Sequence, residues 1–439
     1  MVSSQSKRVV ITGIGLISPL GNDYETFCGA LRRGQSGVTA VQGPGGPVGV
    51  IRSGGAAREF TGRIDDYGEL EKDQKRAIRK GVKLMCREIQ MGVAAAQRSL
   101  RHAGLAVGKY DPERSGVVYG CDHILSTHDE FVKAIQASVR DQSDFTLRGW
   151  VEHGIGEVTP LWLLKYLPNM PASHIAIYND LRGPNNSLTY REASGNLAIG
   201  EAFSTIRRGG ADTMVAGATG CSMVMLKSLH VAVQYQMANG EHQPAHASRP
   251  FDLHRTGMVA GEGAGAVVLE TLERAESRGA KIYGEVVGGG SSVAQTRTGA
   301  ARPRVAIANA MRACLRSAGL GNHDIGHLHA HGLATRHMDL AEAQAIQDVF
   351  ADRPESVPVV AGKSYFGNLG AGTGIVELVA SLQALDYGRL FPILNYDTPD
   401  PDCPIAAVRD NETASGDCFL NINCSPQGQA SGIVVRRFH

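Results

Sequence analysis

The chain has almost no net charge: 44 lysines and arginines against 43 aspartates and glutamates leave +1 at neutral pH. Such a balance gives no global electrostatic case for a nucleic-acid or membrane partner. No run approaches the roughly 20 apolar residues needed for a membrane span. The first residues, "MVSSQSKRVVITGIGLISPLG", pass quickly into β-branched material without a signal-peptide core, so a cytoplasmic location is expected. Paired cysteines are missing too. Cys28, Cys86, Cys121, Cys221, Cys314, Cys403, Cys418 and Cys424 are scattered without C-x-x-C or zinc-ligand spacing, which points to reduced thiols acting mostly as small buried hydrophobes.

Glycine is plentiful. The 54 glycines repeatedly end β-branched runs, among them "RVVITGIG", "SGVVYG", "DTMVAGATG", "GAGAVVLE", "IYGEVVGGG" and "VPVVAGKSYFG". Their alternation with helical patterns predicts α/β layers around buried sheets. With 439 residues, 43% of them hydrophobic and 20% charged, the chain is long enough for a large core and for two or three domains. It also echoes itself. "AAAQRSLRHAGLAVGKYDPERSGVVYG" and "IANAMRACLRSAGLGNHDIGHLHAHG" each read as a helix closed by "AGL", a short loop and a strand ending in Gly. "KRVVITGIGLIS" pairs more loosely with "KIYGEVVGGGSS". Two related halves follow, with a boundary near residues 275–281.

The stretch "GPNNSLTYREASGNLAIGEAF" reads as an extended run, a turn of small residues and an amphipathic helix. Ala198, Ile199, Ala202, Phe203 and Ile206 form the apolar face, Glu201, Arg207 and Arg208 fall towards water, and Gly209-Gly210 stop the helix. Glu192 therefore sits at or just before the first turn. The helix dipole there favours an anion, and burial favours the neutral acid.

The order and spacing of several motifs over most of the chain resemble the β-ketoacyl-acyl-carrier-protein synthases, most closely the type II condensing enzymes of the thiolase fold. They are "RVVITGIGLISPLGN", "NMPASHIAIYNDLRGPNNS", "AIGEAFSTIRRGGADTMVAG", "SRPFDLHRTGMVAGEGAGAVVLETLERAESRGAKIYGEVVG", "HAHGLATRHMDLAEAQAI" and "VAGKSYFGNLGAGTGIVELVASLQAL". The resemblance implies an α/β, thiolase-like, five-layered αβαβα fold made of two pseudo-repeated halves. The first half, 1–275, would carry the elbow and cap insertions. The second, 276–439, would carry His331, Lys363, Asn368 and the gate loop. It also implies a role in fatty-acid or polyketide-type biosynthesis and a dimer.

Such enzymes use an elbow Cys to accept an acyl chain from a carrier protein, two His residues for decarboxylation and enolate stabilisation, and a supporting Lys. By the same resemblance Glu192 stands at the Cys position, His331 in "AHG" is the first His, Lys363 in "GKS" is the Lys, and Asp339 and Glu342 are a supporting acidic pair. Asn368 in "YFGNLG" takes the place of the second His. In the gate segment "NCSPQGQAS", either Pro426 or Gln427 stands where the family has a gating Phe whose N–H completes an oxyanion hole. A proline there would remove that donor.

Thioester exchange needs a soft nucleophile that leaves well, and a carboxylate attacking a thioester would give an anhydride. Condensation is therefore expected to fail. Relatives with Gln at the elbow retain malonyl decarboxylation, which Glu192 could imitate only when protonated. Chain-length factors lack the Cys and both His residues and pair with an active synthase; this chain resembles them at the elbow but keeps His331. Two readings stand: a non-elongating, chain-length-factor-like subunit that binds an acyl thioester or acyl carrier protein, as a homodimer or as a heterodimer with an active ketosynthase, and a repurposed acyl-thioester enzyme in which Glu192 and His331 do acid–base work.

"HLHAHG" sets His327, His329 and His331 on one strand face ahead of His337 and Asp339, but no second ligand cluster matches them, so no metal is expected. No cofactor is expected either, because Gly261, Gly263 and Gly265 precede a strand instead of following one. The run "KDQKRAIRKGVK" holds Lys72, Lys75, Arg76, Arg79, Lys80 and Lys83. It is either a solvated helix face or, as the resemblance implies for Lys75, Arg76, Arg79 and Lys80, a docking surface for an acidic carrier protein.

Overall fold

The computed structural model describes residues 7–41, 51–127, 129–139 and 144–439. All six β-branched runs form strands or end them. Across one sheet the order is Ala406–Ala407, Pro358–Val360, His327–His329, Cys418–Cys424, Gln429–Arg436, Gly284–Val293, Val9–Ile17, Ala260–Thr271, Thr213–Cys221, Ser115–Cys121 and Asn185–Leu188. Two successions within it have the same form. From Val9–Ile17 outward the pairings run antiparallel, antiparallel, parallel, parallel. From Gly284–Val293 outward they run the same way to Pro358–Val360. The successions meet back to back through Val9, Val10 and Ile11, which pair antiparallel with Val286, Glu285 and Gly284.

Helices fill both faces. Helix Arg87–His102 packs on Val9–Ile17, Thr213–Cys221 and Ala260–Thr271, and helix Pro303–Ala318 packs on Gly284–Val293, Cys418–Cys424 and Gln429–Arg436. Helices Ser194–Arg207 and Thr373–Tyr387 each touch strands of both successions and each other. The layers are thus helix, sheet, helix, sheet, helix. Of the two middle helices, Ser194–Arg207 keeps a polar face, with Ser204 and Arg207 exposed, whereas Thr373–Tyr387 is covered on all sides and every residue from Thr373 to Leu385 is buried.

Three sequence readings need correction. Gly261, Gly263 and Gly265 lie inside strand Ala260–Thr271 instead of ahead of it. They are glycines because their surroundings come too close for a side chain: a Cβ at Gly265 would lie 2.5 Å from Ile375 Cγ2 on a middle helix, and one at Gly263 2.8 Å from the Ile17 carbonyl of the neighbouring strand. His331 follows strand His327–His329 and is not part of it. The segment 423–431 is a tight hairpin more than a loop, with Asn423 opposite Ser431 and Cys424 opposite Ala430. Among the described residues no helix is long and apolar enough to cross a membrane.

Candidate active site

Glu192 is placed by a backbone that is held against its preference. Strand Asn185–Leu188 ends, Arg191 adopts φ 53°, and helix Ser194–Arg207 begins. A left-handed arginine costs about 1–2 kcal/mol, so neighbouring contacts must fix it. The Ser194 hydroxyl accepts the Tyr190 N–H at 2.8 Å, the Ser431 hydroxyl donates to the Ala193 carbonyl at 2.8 Å, and the Arg191 guanidinium lies over the Tyr235 ring and donates to Gln234. The turn aims Glu192 inward, where 1% of it is exposed.

One carboxylate oxygen of Glu192 receives two donors, the Tyr235 hydroxyl and the Asn368 amide at 2.9 Å. Its other oxygen, Oε2, is buried and has no hydrogen-bond partner among the described residues. The Asn368 amide orientation is fixed from behind, since its Oδ1 accepts from the Gly370 N–H and the Thr373 hydroxyl, each at 3.1 Å. Burial, and then the Glu192 charge, push the Tyr235 phenol well above its usual range, which keeps it a donor.

His331 and Lys363 form a second group. Lys363 donates to Glu377 at 2.8 Å and to the His331 carbonyl at 2.5 Å, and it stands 3.2 Å from His331 Nδ1. The other Glu377 oxygen accepts from the Asn423 amide at 2.7 Å. Both neighbours of His331 Nδ1 are donors, so Nδ1 must accept and the neutral ring carries its proton on Nε2. Burial, and then the Lys363 charge, hold His331 well below its usual range, so neutral is its state at pH 7. That Nε2–H has no partner among the described residues.

An asparagine bridge joins the two groups. Asn196, one turn past Glu192, donates to Asn423 Oδ1 at 3.1 Å and accepts from Asn421 at 3.0 Å. The expected acidic pair stands behind them. Glu342 accepts the backbone N–H groups of His331 and Gly332 at 2.6 and 2.8 Å, and burial pushes it up to about 8. Asp339 accepts the Phe251 N–H at 2.8 Å beside Arg255, and burial pushes it up to about 6. Both shape the turn that carries His331.

Pro426 and Gln427 lie at the hairpin tip, where Gln427 is exposed and its carbonyl accepts from Gln295 at 2.9 Å. His327 and His329 share the Ser381 hydroxyl at 3.1 and 2.8 Å, and His329 Nε2 accepts the Gly362 N–H. Lys75, Arg76, Arg79 and Lys80 lie on helix Lys72–Gly81, anchored by buried Ile78, and border a groove of about 520 Å³ with Lys72, Asp73 and Lys83.

Tyr235, Glu377, Asn196, Asn421 and Asn423 are site residues that the sequence reading missed. Three carried a signal. A lone Glu in the apolar helix "TGIVELVASLQAL", and two Asn on one face of the buried strand "CFLNINC", each demand buried partners. Tyr235 carried none.

Residues 6–275 match the family model of the beta-ketoacyl synthase N-terminal domain, and residues 283–397 that of the C-terminal domain. The 3-oxoacyl-[acyl-carrier-protein] synthase 2 of Synechocystis sp. is 31% identical over 93% of this chain and 92% of its own length. That of Vibrio cholerae is 32% identical over 90% of each. Among solved structures, the fold is shared with a type II polyketide ketosynthase in complex with its acyl-carrier protein (TM-score 0.82, 23% identity, 99% and 100% covered). The ishigamide ketosynthase/chain length factor is also similar (TM-score 0.80, 26% identity, 99% and 100% covered). Two matched domain models and full-length relatives in a thiolase-like fold place the chain in the β-ketoacyl synthase family, among proteins of fatty-acid and polyketide biosynthesis.

Proposed function

We propose that this chain is a non-elongating β-ketoacyl synthase-like subunit, chain-length-factor-like, which binds carrier protein and acyl thioester and works beside an active ketosynthase. The observation that carries the reading is the elbow itself, where a buried carboxylate tied to Tyr235 and Asn368 stands at the turn a nucleophile would need. A carboxylate cannot take over acyl transfer from a thiolate, because the acid anhydride it would form is less stable than the thioester. Asn368, read as the substitute for the second His, has its amide committed to Glu192 and brings no positive charge to an enolate.

Taking 1–275 and 276–439 as the two units, the site lies between them, and the Glu192–Asn368 and Ala193–Ser431 contacts cross that boundary. Pairing is supported by the surface around the elbow. Helix Met225–Gln234, fastened to Arg191, exposes Leu226, Leu229 and Val233 along one face, and among the described residues edge strand Asn185–Leu188 pairs on one side only. Lys75, Arg76, Arg79 and Lys80 are the proposed carrier-protein contacts. The chain alone, given acyl- and malonyl-carrier protein, is expected to yield no elongated product. Co-expressed with a ketosynthase that keeps its Cys, it is expected to copurify as a pair that does. Product from the chain alone that disappears in Glu192→Gln and in His331→Ala overturns this reading.

One observation favours the second reading, a repurposed acyl-thioester enzyme such as an acyltransferase or decarboxylase. Glu192 Oε2 and the His331 Nε2–H are both buried and both unpartnered, an acceptor and a donor left for something else.

A further inference from the structure

Two groups in the candidate active site lack partners, and they are of opposite kinds. Glu192 and His331 are each 1% exposed. Tyr235 and Asn368 both donate to Glu192 Oε1, an arrangement suited to a carboxylate, and among the described residues Oε2 is left a bare acceptor. Lys363 and Asn423 both turn N–H groups towards His331 Nδ1, so the ring carries its proton on Nε2, a donor that is equally bare. Asn196, one turn past Glu192, bonds Asn423 at 3.1 Å and keeps acceptor and donor in one site. Each is buried at a cost that a ligand meeting both would remove.

What closes over them is apolar and adaptable. Val231, Tyr235, Met258 and Leu333 form a small buried cluster of their own, with Met237 and Met338 packed against it. The cluster reaches both groups: Tyr235 donates to Glu192, Met258 Sδ lies 2.9 Å from the Asn368 amide nitrogen, and Leu333 follows His331 by two residues. Three of its six members are methionines, whose unbranched side chains repack around a guest more readily than branched ones. They are the side chains that give way to a short apolar tail.

We propose that this site takes a short hydroxyacyl thioester: its hydroxyl donates to Glu192 Oε2, its thioester carbonyl accepts from His331 Nε2–H, and its alkyl end lies among Met237, Met258 and Met338. The assignment rests on the acyl-thioester binding read from the elbow above and adds which acyl group is held. Other acyl groups match less well. A saturated chain leaves Oε2 bare, a 3-oxo group turns a lone pair towards it, and a malonyl carboxylate is repelled by it. Of these substituents only the hydroxyl supplies a proton.

Calorimetric titration of the full chain with pantetheine thioesters tests it. The 2- and 3-hydroxybutyryl thioesters, each as both enantiomers, are compared with the butyryl and 3-oxobutyryl thioesters and with the 3-hydroxybutyl thioether, which lacks the carbonyl. One hydroxybutyryl thioester is expected to bind about tenfold or more tighter than butyryl or 3-oxobutyryl, as for a hydrogen bond to a charged group, and tighter than the thioether. In Glu192→Gln the amide oxygen takes the Tyr235 and Asn368 donors and the amide N–H groups face the ligand, so the order is expected to reverse in favour of 3-oxobutyryl. If no thioester binds, acyl-thioester binding at this site is itself wrong, and the assignment falls with it. If thioesters bind but the hydroxyl brings no advantage on the unmodified chain, or the thioether binds as tightly, acyl-thioester binding stands and the hydroxyacyl assignment is overturned, a comparison that needs no variant to fold. An unchanged order in Glu192→Gln overturns it too.

Discussion

The group around Lys363 and the group around Glu192 are finished to different degrees. At Lys363 all three ammonium protons have acceptors, and both Glu377 oxygens have donors. At Glu192 one oxygen takes two donors and the other takes none. A buried ion pair with every hydrogen bond in place is framework: its desolvation is offset where it stands, and nothing further is asked of it. A buried carboxylate with a bare oxygen is held open at a cost of about 1–3 kcal/mol, which is sustained where a ligand or a reaction takes up the missing bond. Lys363 thus supports the His331 turn, and the bare oxygen of Glu192 leaves a bond to be made on the open side.

The largest effect is expected from breaking the closed group. Glu377→Ala strands a buried Lys363 ammonium and releases Asn423, and a loss of about 3–5 kcal/mol in denaturant unfolding is expected. Adding Lys363→Met to Glu377→Leu should recover much of that loss, because no charge is then left uncompensated. A double variant as unstable as Glu377→Ala would mean that shape, and not charge, dominates there.

Acid is the next probe of the closed side. Burial holds His327 down to about 4 and His329 and His331 well below their usual range. A base whose folded value is depressed gives stability that is present above its unfolded value near 6.5 and is lost as pH falls from there towards the folded value. His327 alone is expected to remove about 3 kcal/mol between pH 6.5 and 4. The opposite sign applies to Glu88 and Glu342, both raised to about 8. They keep their protons in the fold after the unfolded chain has lost its own, so their contribution falls as pH rises from about 4.5 to 8. His327→Gln should make the acid limb of a stability–pH profile shallower and leave the alkaline limb alone.

A smaller change tests the open side. Tyr235→Phe removes one of the two donors on Glu192, and a loss of about 2 kcal/mol is expected, as for a hydrogen bond to a charged group. In the background Glu192→Gln the same substitution should cost less, because its acceptor is then neutral. Equal losses in both backgrounds would mean that the Tyr235 hydroxyl gains no more from the carboxyl group than from an amide.

How much of this was legible in the sequence follows from how local each feature is. The β-branched runs ending in Gly carry their own strand signal, and helix Ser194–Arg207 and its turn were readable from periodicity and small residues. The glycines of strand Ala260–Thr271 misled because their reason lies in distant segments of the chain, at Ile375 of a middle helix and Ile17 of the neighbouring strand. Tyr235 and Asn368 reach Glu192 from 43 and 176 residues away, and only the resemblance pointed to Asn368. Tyr235 sits in "HVAVQYQ", which reads as an ordinary helix end. The hairpin at 423–431 was hidden because its composition is that of a loop, and pairing with the neighbouring strand decides its shape.

The smallest effect on stability is expected where the contrast is between buried and exposed cations. Arg79 and Lys80 are exposed on helix Lys72–Gly81, so Arg79→Glu and Lys80→Glu should each change unfolding free energy by less than about 0.5 kcal/mol. Their consequence should appear in association instead. If the helix docks an acidic carrier protein, reversing two of its charges should lower the association rate, and added salt should erase the difference between variant and unmodified chain. Because Lys363 is enclosed and these residues are not, disturbing a cation separates framework from surface: stranding Lys363 shows in denaturation, and reversing Arg79 shows in salt-dependent binding. Carrier-protein association that is unchanged in the double variant at low salt would return the basic run to the simpler reading, a solvated helix face.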